Sequence, residues 1–129
     1  MLTKQEVVDY WKESALKDRQ VAKSMIELGH NDWALFIWHL VLEKLLKGLL
    51  VKEDKEVVRT HNLFRLATDL EEVTLSDEHL RWLKEITTFN LEARYSSYKL
   101  EFYKKATPEY TGRWDSHCEE IYQWLLKKY

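Results

Sequence analysis

The run from Asp32 to Val51, DWALFIWHLVLEKLLKGLLV, decides the fold. At 3.6 residues per turn, Ile37, Gly48, Val41, Ala34, Leu45, Trp38, Leu49, Leu42, Leu35 and Leu46 share one broad face. His39, Glu43 and Lys47 follow one another at i, i+4 and i+8 on the other side, with Lys44 beside them. Phe36, Leu40 and Leu50 sit among those polar residues, so even this side is not simply a solvated one. A helix apolar nearly all round belongs in the middle of a bundle. The run is long enough to cross a bilayer. Four polar or charged side chains after its opening Asp32, and heavily charged helices around it, argue instead for a buried core helix.

Composition points the same way. The chain has 129 residues, a size that suits one domain over residues 1–129 with one core. A third of the residues are charged, yet Gly totals 3 and Pro 1, which favours long helices over the turn-rich connections of a β fold. Net charge is −2 with a pI near 6.2, so no global basic field draws the protein to nucleic acid, and any RNA contact must be a local patch. Six Trp and seven Tyr supply rings for core and interface. The single Cys118 excludes an internal disulfide and a cysteine-based zinc site. The charged, amphipathic start MLTKQEVVDYWKES does not read as a signal peptide, so the expected compartment is the cytoplasm.

Working outward, Thr3-Lys4-Gln5-Glu6 is a capping box. It opens a helix with Val7 or Val8, Trp11, Ala15, Ala22, Met25 and Ile26 inward, and Gly29 stops it. Asn31 or Asp32 is the expected cap of the central helix, and so short a link makes the two helices antiparallel neighbours. The segment KEDKEVVR, 52–59, reads as the most exposed and mobile part. Thr60 or Asn62 then caps a third helix bearing Leu63, Leu66, Ala67 and Leu70. Ser76-Asp77-Glu78 opens a fourth with acids at its positive end; Leu80, Leu83, Ile86, Thr87, Asn90 and Leu91 are its core positions. Arg94-Tyr95-Ser96-Ser97 ends or bends it. Thr107-Pro108-Glu109 starts the last helix, with Trp114, Cys118, Ile121, Trp124 and Leu125 inward. The expected fold is all-α, an antiparallel bundle of about five helices.

Two constellations carry candidate chemistry, and a third, His61-Asn62-Leu63 at the start of the third helix, reads more simply as a His that satisfies the helix end. The stripe His39, Glu43, Lys44, Lys47 is either an ion-paired seam between helices or a polar interface facing a nucleotide. The run from Arg94 to Lys105 is either a surface where aromatic side chains stack on bases and cations meet phosphate or a solvated amphipathic turn whose rings pack on the bundle; Arg94, Tyr98 and Phe102 align on a helix, as do Lys99 and Tyr103. No metal site is expected: Glu27-x-x-His30 has the spacing of half a di-iron site, but Gly29 interrupts it and no second copy follows. His117 and Cys118 are adjacent and so face different ways on a helix, and no glycine loop exists to cradle phosphate. No catalytic residue and no cofactor follow from the spacing.

Three blocks, GHNDWALFIWHLVLEKLLKGLLV, His61-Asn62-Leu63-x-x-Leu66-Ala67 and Asn90-Leu91-Glu92-Ala93-Arg94-Tyr95, together resemble the HEPN family over essentially the whole chain. The tail ARYSSYKLEFYKKATPEYT is similar to that of a prokaryotic subgroup often encoded beside a minimal nucleotidyltransferase. The resemblance implies a homodimer and one of three roles. The first is companion of a nucleotidyltransferase in a toxin–antitoxin type of pair, in some cases adenylylated on a Tyr; Tyr95, Tyr98 and Tyr103 are the hydroxyls in that neighbourhood. The second is an RNase toxin acting at the dimer cleft, and the third is nucleotide or RNA binding without chemistry. The RNase members carry an Arg and a His with four to six residues between them. Here Arg94 has no His before His117, and Arg113 to His117 leaves only three residues between, so the general acid or base of that reaction is missing. The expectation is therefore a homodimer that binds an ATP-like nucleotide or RNA beside a separate nucleotidyltransferase, away from any membrane. Glu43, Lys47, Arg94, Tyr95, Tyr98 and Lys99 would line its cleft, with Phe36, His39, Leu40 and Lys44 at the interface. An RNase and a purely structural helical module are the alternatives.

Overall fold

The structure, a computed structural model, describes every residue except Tyr95, and Leu91, Arg94, Ser96 and Ser97 by their backbone alone. Six helices follow in order: α1 (Lys4–Glu27), α2 (Asn31–Lys52), α3 (Leu63–Thr68), α4 (Asp77–Arg94), α5 (Ser96–Lys105) and α6 (Pro108–Leu126). No strand occurs among the described residues. The count exceeds the expected five because the stretch after Arg94 forms a helix of its own.

Local chemistry sets the boundaries. The Glu6 amide donates to Thr3 Oγ1 at 3.1 Å and the Thr3 amide to Glu6 Oε1 at 3.3 Å, completing the capping box of α1. At the other end Gly29 takes φ +82°, and the amides of Gly29 and His30 donate to the carbonyls of Ile26 and Met25. Those paired bonds are the Schellman stop, which needs a left-handed residue at this point. The same stop closes α2 with Asp54 at φ +60°. Because His30 is held by the end of α1, it is also the residue preceding α2. Asn31 and Asp32 therefore lie inside the first turn of α2 and neither caps it, contrary to expectation. Asn62, not Thr60, caps α3 through the Arg65 amide, and Thr107 caps α6 with Pro108 at its first position.

α2 touches each of the other five helices, as a nearly all-apolar helix must. Trp38, Leu42, Leu45, Leu46 and Leu49 are enclosed, and so is Leu50, which sequence placed on the polar side. Gly48 lets α1 come close: a Cβ there would stand 2.8 Å from the Trp11 Cβ. α1 is also lashed to α6 by polar pairs. Arg19 grips Glu119 with two bonds of 2.8 and 2.9 Å, and Lys23 reaches Asp115 at 2.9 Å. Asp115 also accepts the indole N–H of the enclosed Trp38 at 2.9 Å. The 52–59 segment is tethered rather than loose. The Glu53 carboxylate accepts the amides of Glu71 and Glu72, Lys55 pairs with Glu71, and Lys4 pairs with Asp54.

Three large rings of the core were not assigned to it from sequence, though packing on the bundle was one of the two readings of the run that holds Phe102. Phe89 of α4, Phe102 of α5 and Tyr122 of α6 are all enclosed, and Phe89 and Phe102 face each other with centroids 5.6 Å apart. No described helix is long and apolar enough to cross a membrane.

Candidate functional site

α2 is covered on all sides but one. Apart from Asn31, Asp32 and Lys52 at its ends, its incompletely buried residues, Trp33, Phe36, Ile37, Leu40, Lys44, Lys47 and Val51, recur at helical spacing and form one narrow open stripe. Trp33, at 48% exposure, is the most open of the apolar ones. Lys44 leans to one side, where its ammonium bonds Ser14 Oγ at 2.8 Å and Asp18 Oδ2 at 2.5 Å. Lys47 sits over the stripe, with its ammonium 3.0 Å from Glu43 Oε2 and 6.0 Å from the centre of the Trp11 ring.

Beside Lys47 lies the densest polar cluster on this face. The Glu43 carboxylate is buried and binds His61 Nδ1 at 2.8 Å through its second oxygen. His39 is fully enclosed within the chain. Its Nε2–H donates to the His61 carbonyl at 2.8 Å, while its Nδ1, 3.9 Å from Glu43, has no hydrogen-bond partner. Burial, opposed by that carbonyl and by Glu43, holds the His39 imidazole below its usual range and keeps it neutral. Of the four residues expected at an interface, Phe36 and Leu40 are thus on the open stripe. Lys44 is engaged with α1, and His39 does not reach the surface.

A second feature caps the other end of the stripe. Tyr98, Leu100 and Tyr103 of α5 are 47%, 61% and 67% exposed. Lys99, Leu100 and Tyr103 join Asp32 and Trp33 around a hollow of about 360 Å³ floored by Ala93 and Phe102. Phe102 is therefore core, not part of a base-stacking face. The side chain of Arg94 and all of Tyr95 lie outside the described residues. Within one chain the two halves of the expected cleft do not meet. Trp33, at the hollow, and Glu43 to Lys47 are ten to fourteen positions apart on α2, roughly 15–20 Å along its axis.

One surface had gone unnoticed. Around His61 the chain exposes Arg59 and Arg65, and α4 sends Lys84 over the Phe64 ring at 4.6 Å. Three cations and a ring at 59, 64, 65 and 84 are visible in the sequence, but only the packing of α3 on α4 brings Lys84 over Phe64. A larger groove of about 610 Å³ along α6, walled by Lys23 of α1 and His79 of α4, includes Asp115, Glu119 and Glu120, each already paired: with Lys23, Arg19 and His79 respectively. Cys118 is enclosed, and burial pushes its thiol well above the usual range, which suits a core residue and not a nucleophile. Among the described residues no group of three or more potential ligands could hold a metal ion.

The bundle has close structural relatives. The crystal structure of TT1696 from Thermus thermophilus superposes with a TM-score of 0.83 at 21% identity, covering 95% of this chain and 98% of that one. That of ST0689, an archaeal HEPN homologue, gives 0.74 at 20% identity, covering 94% and 96%. No curated protein matches. The HEPN domain family matches residues 8–129, from the first turns of α1 to the last residue, and the chain belongs to the HEPN family.

Proposed function

We propose that this chain, as a single HEPN domain over residues 1–129, works in the cytoplasm as a homodimer. It holds a nucleotide or RNA between its copies and serves as the companion of a separately encoded minimal nucleotidyltransferase, in the manner of a toxin–antitoxin pair. The observation that carries the reading is the open stripe of α2. Trp33, Phe36, Ile37 and Leu40 are partly bare on a helix otherwise enclosed, and a continuous apolar strip of this kind marks an interaction surface. A two-fold contact must bury the same strip on both copies. Leu40 is the midpoint between Trp33 and Lys47. Two α2 helices crossing antiparallel at Leu40 would therefore lay the Tyr98, Lys99 and Tyr103 end of one copy over the Lys47 and His61 end of the other. The residues that stand apart within one chain would then face one another across the seam. Cations there meet phosphate and phenol rings stack on bases.

Sedimentation velocity and thermal melts test this together. The parent protein should sediment as a dimer and melt higher with ATP or a short RNA present, because a ligand bound only by the folded state must raise the melting temperature. Leu40→Glu should give a folded monomer without that rise. A monomeric parent sinks the dimer. A dimer whose melting temperature ignores ATP and RNA leaves a purely structural module. Co-purification of a small nucleotidyltransferase from the native cells tests the companion role.

A further inference from the structure

We infer that His61 is a ribose-reading residue: its Nε2 accepts a hydrogen bond from a hydroxyl of the bound ligand, so the site takes ribonucleotides in preference to their 2′-deoxy forms. The inference rests on the nucleotide-binding reading above and assigns a role to a residue outside the expected cleft set.

His61 is held from several directions. Its Nδ1 is 2.8 Å from Oε1 of the buried Glu43, whose other oxygen is occupied by Lys47. Its carbonyl receives the Nε2–H of the enclosed His39 at 2.8 Å. On either side of it, Thr60 Oγ1 accepts the Asn62 amide at 3.1 Å, and Asn62 caps α3. Yet the imidazole itself is 55% exposed. A surface side chain fixed in this way has its geometry set before any ligand arrives.

The partner on Nδ1 also sets what the outer nitrogen does. A carboxylate only accepts, so Nδ1 carries the proton and the neutral ring presents an acceptor at Nε2. A carboxylate–imidazole pair with a free Nε2 suits three kinds of visitor: a metal ion, a nucleophilic hydroxyl of the chain, or a hydroxyl of a ligand. The first needs further ligands, and no such group exists among the described residues. Among the described residues no chain hydroxyl bonds Nε2, and the nearest in sequence, that of Thr60, has its oxygen turned to the Asn62 amide. A phosphate oxygen is itself an acceptor and gains nothing from an Nε2 without a proton, whereas the exposed Arg59, two residues before His61, can donate to it. A ligand hydroxyl remains, and the 2′-hydroxyl is what separates RNA from DNA at a given contact.

Fluorescence anisotropy with a labelled short oligoadenylate, in ribo and 2′-deoxy forms, tests the assignment. The parent should bind the ribo form about tenfold more tightly, the value of one well-made hydrogen bond. His61→Leu should reduce that ratio to near one by weakening the ribo arm alone. His61→Gln, whose amide oxygen reaches close to the position of Nε2, should keep part of the preference. Equal binding of both probes by the parent overturns the inference and leaves nucleotide binding standing, as does a ratio unchanged in His61→Leu. Binding of neither probe removes the nucleotide-binding reading and this inference with it.

Discussion

Replacing Gly48 with alanine sets two effects of opposite sign against each other. In an open helix the change stabilises by roughly 1 kcal/mol, since glycine is the poorest helix former after proline. At Gly48 the new methyl would fall on the Tyr129 hydroxyl and lie 2.8 Å from the Trp11 Cβ. Tyr129 can swing away only by giving up its bond to the Leu45 carbonyl, a loss of about 1 kcal/mol. The Trp11 Cβ is fixed to the α1 backbone, so relief there means moving α1 off α2, and overpacking of this kind costs about 1–3 kcal/mol. The collision outweighs the propensity gain. Gly48→Ala should therefore destabilise by about 1–3 kcal/mol, lowering the melting temperature by roughly 4–10 °C. Urea denaturation gives the free energy. Gly112→Ala is the matched control: a Cβ at Gly112 meets nothing within 4 Å, so only the propensity term acts and the variant should gain about 0.5–1 kcal/mol. Adding Tyr129→Phe to Gly48→Ala removes the hydroxyl from the collision, so the double variant should be less impaired than the sum of the singles. A Gly48→Ala protein as stable as its parent would refute the close α1–α2 approach.

Burial holds His39 and His117 below the usual imidazole range, so each takes up its proton more readily in the unfolded chain. Their contribution is complete above about pH 6.5 and is lost as pH falls below it; the unfolding free energy should decline there in a pH series of urea melts, with a shallower slope in His39→Gln. Cys118 has the opposite sign: its folded thiol keeps a proton that the unfolded chain releases near pH 9. A thiol reagent should label it only as fast as the protein unfolds, and immediate labelling of native protein would show the α6 core to be open. Asp115→Ala strips the acceptor from both Lys23 and the Trp38 indole. It should cost about 2 kcal/mol in urea melts, and Asp115→Asn, which keeps one acceptor, should recover part.

What the sequence discloses and what it hides divide along a physical line. Stops, most caps and the all-apolar character of α2 are written in residues that touch their own neighbours in the chain, so Thr3, Gly29 and Thr107 could be read directly and the α3 cap narrowed to Thr60 or Asn62. His39 and Glu43 could be seen to share a face, but their partner His61 arrives from 18 to 22 positions away, and nothing local announces it. The four aromatics after Arg94 illustrate the same limit. Tyr98 and Phe102 are one helical turn apart with similar rings, yet one is open and the other enclosed, because Phe89 of α4 lies against the second. Sequence spacing gives the turn but not what lies against it.

The candidate site inherits its rigidity from the same helix that organises the core. Glu43 lies next to Leu42 and about one and a half turns before Gly48, so its carboxylate is placed by the packing of α1, α4 and α6 on α2 and not by a loop. His61 does sit between helices, but its ring is tied to Glu43 and its carbonyl to His39, both on that helix. The proposed ligand groups are thereby indexed to the α2 axis, Lys47 and His61 at one end and Trp33 with Lys99 at the other. A second copy need only align on Leu40 to bring the two ends into register. Folding and ligand capture should then respond differently to substitution. Changes on the enclosed faces of α2 would unfold the chain, while changes on its open stripe would separate the copies and leave each bundle intact.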